Sequence, residues 1–240
     1  DLEDSWSGRY TTIGGGKSNT AGGVAATVGG GWNNKAEADW ATSGGGYGNN
    51  ASGGYATVSG GWQNEAFDYY ATVSGGGGNT ANGEHATVAG GGDNTATGSG
   101  TTVGGGWRNT ANAGSATVGG GNENSASGGS ATVSGGAQNG ASGNLATVGG
   151  GGSNSASGDY ATVSGGWGNT ASGEYVTVSG GDGNYASNRW ATIAGGSNCR
   201  AAGEYSFAAG RNAQALNDGA FVWADSTGGT FASFRDDQFR

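Results

Sequence analysis

The 240-residue sequence has no proline, no methionine, one cysteine and one histidine, and only 11% of its residues are charged. Each shortage removes a class of protein. Glycine accounts for 59 residues but falls in pairs and triplets, and without proline or a strict three-residue period a collagen triple helix is excluded. Cys199 has no second cysteine to pair with, so cysteine usage neither demands nor forbids an oxidising compartment. The lack of methionine, even at position 1, fits either removal of an upstream segment or an excerpt of a longer chain. No apolar run approaches the ~20 residues needed to span a bilayer, so no membrane insertion is expected. Nine basic residues are scattered among 18 acidic ones for a net charge of −9, which argues against nucleic acid or an anionic surface as partner. With 33% hydrophobic residues, many of them alanine, the chain cannot fill one broad globular core. Any core must be narrow and repetitive.

What is present is a repeat. Aligning Thr11-Thr12-Ile13-Gly14-Gly15 with Ala26-Thr27-Val28-Gly29-Gly30, and continuing in steps of 15, gives thirteen units from Thr11 to Tyr205 without insertion or deletion. The consensus is A-T-V-[SG]-G-G-x-x-N-[TS]-A-S-G-x-[YW]. Position 5 is Gly from Gly15 to Gly210, position 11 is Ala from Ala21 to Ala201, and position 2 is Thr from Thr12 to Thr192. Position 3 is Val or Ile except for Ser43, and position 9 is Asn from Asn19 to Asn184, then Cys199. The organisation read from this pattern is an N-terminal cap or assembly segment over 1–10, thirteen repeats over 11–205, and a terminal repeat with an aromatic-rich cap or assembly segment over 206–240.

A 15-residue register is too short for a helix pair and has no 3.6-residue periodicity, so helical repeats do not fit. An all-β solenoid does, with one short strand at A-T-V-S, a Gly-Gly-x-x-Asn turn, a second short strand around A-S and a Gly-x return. Alternation puts positions 2 and 3 on opposite faces, and the Val column is the core candidate. Ala at position 11 allows close approach of the second strand, giving a roll about one side chain thick. Asn at position 9 suits a turn residue with positive φ or a side-chain bond to its own backbone, and stacked coils could join such residues in a ladder. The paired glycines read as tight turns, since no Gly-Lys-[Ser/Thr] follows them as a phosphate loop requires.

Units such as Ala161-Thr-Val-Ser-Gly-Gly-Trp-Gly-Asn-Thr-Ala-Ser-Gly-Glu-Tyr175 resemble the head repeats of trimeric autotransporter adhesins of the YadA-like head type, with coils one residue longer than is usual there. The unit from Ser206 to Gly219 returns to a 14-residue step before Ala220-Phe-Val-Trp-Ala-Asp225, which is similar to that family's own pattern. Similar repeats occur in tail-fibre-like bacterial and phage proteins. The resemblance implies a left-handed parallel β-roll, three chains of which pack into a homotrimer. Independently, a thin roll of Val, Ala and Gly buries little apolar area, at ~25 cal/mol per Å², against more than ~1 kcal/mol per residue of backbone ordering, so association would supply missing burial.

No catalytic constellation stands out. His85 occupies position 15, where other units carry Tyr70 or Trp40, and reads as a ring substitute instead of a base. Enzymatic activity, a metal site and a cofactor are therefore not expected; the Gly-rich turn has the wrong period and lacks the Asp of calcium-binding β-rolls. Cys199 reads as a small residue closing the Asn column, with an intermolecular bridge as the lesser alternative. The aromatics carry more. Position 15 holds Trp40, Tyr55, Tyr70, Tyr160, Tyr175, Trp190 and Tyr205, and position 7 holds Trp32, Tyr47, Trp62, Trp107 and Trp167. These columns would shield strand edges or pack between chains, or else stack on sugars or neighbouring fibres. The ends are also aromatic: Leu2, Trp6 and Tyr10 at one, Phe221, Trp223, Phe231, Phe234 and Phe239 at the other. A solenoid must cap its open ends or polymerise through them, so head-to-tail strand addition is an expectation. The function expected is that of a non-enzymatic extracellular or cell-surface fibre, a filament subunit or adhesin head or shaft whose main partner is itself. The alternatives are a tail-fibre module binding a receptor or surface glycan, and an ice-binding solenoid suggested by the Thr column.

Overall fold

In the computed structural model, residues 3–240 are described, and they form a parallel β-solenoid with 15-residue coils and no helix. Leu2 lies outside the described residues. The chain divides into two compact units, 1–122 and 123–240.

In the first unit each coil contributes two strands of two residues. Thr57–Val58 pairs in parallel with Thr42–Ser43 and Thr72–Val73, and Glu65–Ala66 pairs with Asn50–Ala51 and Thr80–Ala81. Partners are 15 residues apart throughout, so like side chains stack on like. The second strand falls on positions 10 and 11, one residue earlier than the pattern suggested. A third line of single parallel bridges joins position 7 of successive coils, as in Trp32 to Tyr47 and Tyr47 to Trp62.

The interior is built from small residues. Among the described residues every buried apolar side chain is Ala or Val apart from Ile193 and Cys199, and the buried columns are positions 1, 3 and 11, with Asn at position 9. No aromatic side chain is in the core. Such close coils leave no room for a Cβ at the turn. One placed on Gly61, where φ is +99°, would stand 2.2 Å from the carbonyl oxygen of Gly76 in the next coil.

The buried asparagine gives the coil its polar spine. Asn34 Nδ2 donates to the Gly30 carbonyl in its own turn (2.9 Å), to the Gly46 carbonyl in the next coil (2.9 Å) and to Asn19 Oδ1 (3.3 Å). Its own Oδ1 accepts the Asn49 backbone N–H (3.0 Å). The ladder and the side-chain bond to the local backbone are as anticipated, but the positive φ is not on the asparagine. It falls on the residue before it, as at Asn33 (57°) and Gln63 (51°), and on position 15, as at Tyr55 and Tyr70 (58° each). Strand amides donate forward, Thr57 N–H to Ala71 O (2.9 Å), whereas Gln63 N–H and Tyr55 N–H donate backward to Tyr47 O (2.8 Å) and Asp39 O (3.0 Å). The left-handed residues are the points where the peptide reverses, and the coils are tied in both directions.

The segment before the first repeat keeps the register. Ser5–Trp6 pairs with Thr20–Ala21, and Asp4 Oδ1 accepts the Asn19 backbone N–H (2.8 Å) and Nδ2 (3.1 Å), taking the first rung of the ladder. Asp4 to Tyr10 is half a coil in which Asp replaces Asn and Trp6 replaces the interior Ala.

The second unit repeats the pattern until Thr192–Ser197, where the register shifts between Ile193 and Gly195 and the step becomes 14 residues. Strands lengthen there: Phe207–Arg211 pairs with Phe221–Ala224. The last residues fold back onto these strands, with Phe221 bridged to Phe239 and Phe231–Ala232 paired on Ala213 and Gln214.

Candidate functional site

Because the core takes only small side chains, the large rings are left outside. Seven of the eight tryptophans (Trp6, Trp32, Trp40, Trp62, Trp107, Trp167 and Trp223) are exposed, and Trp190 is half-buried. Two arrangements result, one at each aromatic column.

At position 15 the rings stack face to face. In the first unit Trp40, Tyr55, Tyr70 and His85 follow one another at centroid distances of 5.0, 5.0 and 4.8 Å with planes within 12°. His85 thus lies as one more ring on Tyr70. In the second unit Tyr160, Tyr175, Trp190 and Tyr205 stack at 4.7, 5.8 and 4.7 Å. Arg189 covers Trp190 at 3.9 Å and is held by Glu174 (3.1 Å). Each ring projects from a residue with positive φ, which costs a non-glycine residue about 1–2 kcal/mol. The stack and the reversed backbone bond offset that cost. Within each row the inner ring faces are spent on one another, so between the row ends a flat ligand meets only ring edges.

At position 7 no two rings stack face to face among the described residues. Trp32 meets Tyr47 edge to face at 5.3 Å and 87°. Beyond Trp62 the column is interrupted by Gly77 and Gly92 and resumes at Trp107. The Trp107 indole lies over Gly92, where a Cβ would meet its Cζ3 at 2.2 Å, and Trp62 Cε3 is 3.6 Å from a Cβ built on Gly77. Between the two indoles is a cleft of about 370 Å³ lined by Trp62, Gly77, Gly91, Gly92, Asp93 and Trp107 together with Gly106. Asp93 faces Arg108 at 3.8 Å, and the Arg108 guanidinium is 5.5 Å from the Trp107 ring. In the second unit Trp167 lies over Gly152 in the same way, a Cβ there meeting Cζ3 at 2.3 Å, but position 7 one coil earlier is Ala137. The gap was legible as two missing aromatics at position 7, though the sequence does not reveal that Trp107 leans into it.

The end residues do not gather into one site. Trp6 and Tyr10 are exposed on the N-terminal half-coil, while Phe207, Phe221 and Phe239 form a stack at 4.6 and 4.8 Å. Arg240 lies over Phe231 (4.3 Å) and Phe234 (5.3 Å), and Trp223, Phe231 and Arg240 line a cavity of about 400 Å³ with Asp225 and Thr227. Hydrogen bonds from the Thr227 hydroxyl and backbone N–H hold the Asp225 carboxyl below its usual range. Cys199 is buried on the final rung, where its backbone N–H donates to Asn184 Oδ1 (2.9 Å) and Sγ lies 3.2 Å from the Gly210 carbonyl oxygen. Burial pushes its thiol pKa up, away from a reactive thiolate. Among the described residues no group of three or more His, Cys, Asp or Glu is placed to hold a metal ion, and no helix is long and apolar enough to cross a membrane.

No protein-family model matches the chain, and no curated protein sequence matches it.

Proposed function

We propose that the chain is the repeat region of a non-enzymatic extracellular fibre, three copies of which associate side by side through the position 15 aromatic column. The observation that carries this reading is the exposed stack Trp40, Tyr55, Tyr70 and His85 on a coil whose core is almost entirely Ala, Val and Asn. Rows of large exposed rings on an acidic chain mark an interaction surface. A second chain would bury ring edges that the narrow coil cannot cover itself. The likeness of the repeats to YadA-like adhesin heads favours three copies and a place at the cell surface. The exposed rings at both ends, Trp6 and Tyr10 at one and Phe234 and Phe239 at the other, favour head-to-tail extension by strand addition.

The native mass by light scattering tests this directly. A species near 69 kDa (3 × 23.0), or a polymer built from it, is expected. A stable 23.0 kDa monomer at working concentration overturns the association. If filaments form, removing residues 1–10 is expected to leave discrete trimers, and unchanged filaments would eliminate end-to-end growth through that segment.

A further inference from the structure

We infer that the cleft between Trp62 and Trp107 is a binding site for a short neutral oligosaccharide, a role separate from fibre assembly. Three features of the cleft point the same way. First, its two walls are indoles that no other ring stacks upon among the described residues, in contrast to the position 15 column, where faces are consumed by neighbours. An unpaired indole face is the natural partner for the C–H face of a pyranose ring, which is apolar but rimmed with hydroxyls. Second, the floor is glycine. Gly77 and Gly92 each lack the side chain that the preceding coils, with Trp32, Tyr47 and Trp62, place there; the Trp107 indole lies over Gly92, and the backbone left open to a ligand is that of Gly77, between this indole and Trp62. The volume of about 370 Å³ lies within the range of small-ligand sites. Third, the polar groups at the rim suit hydroxyls. The Asp93 carboxylate accepts from sugar O–H groups, and the facing Arg108 guanidinium donates to them.

Charge decides between sugar classes. A chain of net charge −9, with Asp93 in the cleft, repels uronic or sulfated glycans, so the ligand is uncharged. Trp167 supplies an internal control: it lies over Gly152 as Trp107 lies over Gly92, but one coil further back stands Ala137 and there is no second indole wall.

The test uses the protein in its native assembly and a panel of cellotriose, maltotriose and chitotriose, followed by saturation-transfer NMR and calorimetric titration. Saturable binding of at least one trisaccharide is expected. Two variants should weaken it at least roughly tenfold. Trp107→Ala removes a wall. Gly77→Trp instead fills the gap with the residue that position 7 carries elsewhere; Gly77 has no positive φ, and its Cβ would sit at ordinary contact distance, so the coil accepts it. Trp167→Ala should bind as the parent does, and a heparin oligosaccharide should not bind. The site is overturned if none of the three sugars binds, if Gly77→Trp binds as well as the parent, or if heparin competes equally. A trimer that fails to bind sugar would sink this site while leaving the assembly intact, and a monomer that binds would do the reverse.

Discussion

The asparagine ladder and the position 15 aromatic column repeat at the same 15-residue step, yet they respond differently to sequence drift. Inside, the first unit runs from a half-buried Asp4 through every Asn to Asn109, with each Asn buried and the rungs bonded to their neighbours. Outside, rings give way after His85 to Gly100, Ser115, Ser130 and Leu145 while the strands of those coils stay in register. A column that lapses without disturbing the coil is not what holds the coil. The buried ladder belongs to folding and the exposed rings to what the fold presents, and three substitutions test that division.

The largest effect is expected from Asn64→Ala. Asn64 Nδ2 donates to the carbonyls of Gly60 and Gly76 (2.9 Å each), and its Oδ1 accepts the Asn79 backbone N–H (3.0 Å). Truncation leaves the buried Asn79 N–H without its acceptor and withdraws a donor from two carbonyls, at about 1–3 kcal/mol for each unsatisfied group. A loss of ~3 kcal/mol or more in denaturant unfolding is expected. A loss below ~1 kcal/mol would mean that water replaces the side chain and that the ladder is not the spine.

An intermediate effect of opposite sign is expected at Ser43, the one polar residue in the Val column. It is stacked between Val28 and Val58, fully buried, and its hydroxyl has no hydrogen-bond partner. Ser43→Val removes an unsatisfied group and restores apolar contact, so stabilisation of ~1–2 kcal/mol is expected in the same unfolding experiment. No gain would show that the interior there is not packed as a continuous Val column.

Much of this fold was legible because the repeat is nearly error-free. The 15-residue register, the Val core and the Asn ladder each follow from one residue type recurring at one position. The conformation at position 15 was less legible than at position 8, because Tyr and Trp do not ordinarily signal positive φ, whereas the Gly, Asn and Asp of position 8 do. The signal was an omission: neither column contains a Val, Ile or Thr, the residues for which the left-handed region is most costly. The N-terminal half-coil was hidden by Trp6 in the place of an interior Ala, although Asp4-Ser-Trp-Ser-Gly-Arg-Tyr10 follows N-T-A-S-G-x-Y closely. The cleft was half visible. Composition along position 7 showed where aromatics are missing, but only the geometry shows indoles on both sides.

The smallest effect on stability is expected from Tyr55→Gly, and its smallness is what makes it informative. The ring stacks on Trp40 and Tyr70 at 5.0 Å each, contacts worth about 0.5–1.5 kcal/mol per aromatic pair beyond their area. Its backbone sits at φ 58°, a conformation that glycine adopts freely and tyrosine does not. Loss of the stack and relief of the backbone oppose each other, while the Tyr55 N–H keeps its bond to Asp39 O. Unfolding free energy should therefore change by less than about 1 kcal/mol. Association should suffer far more, because the substitution opens a gap in the middle of the ring row proposed as the lateral contact. The two measurements separate the roles: a stable chain with weakened assembly supports the division between inner ladder and outer column. Destabilisation on the scale of Asn64→Ala, with assembly unchanged, would make the rings part of the folding machinery and remove the basis for reading them as an interface.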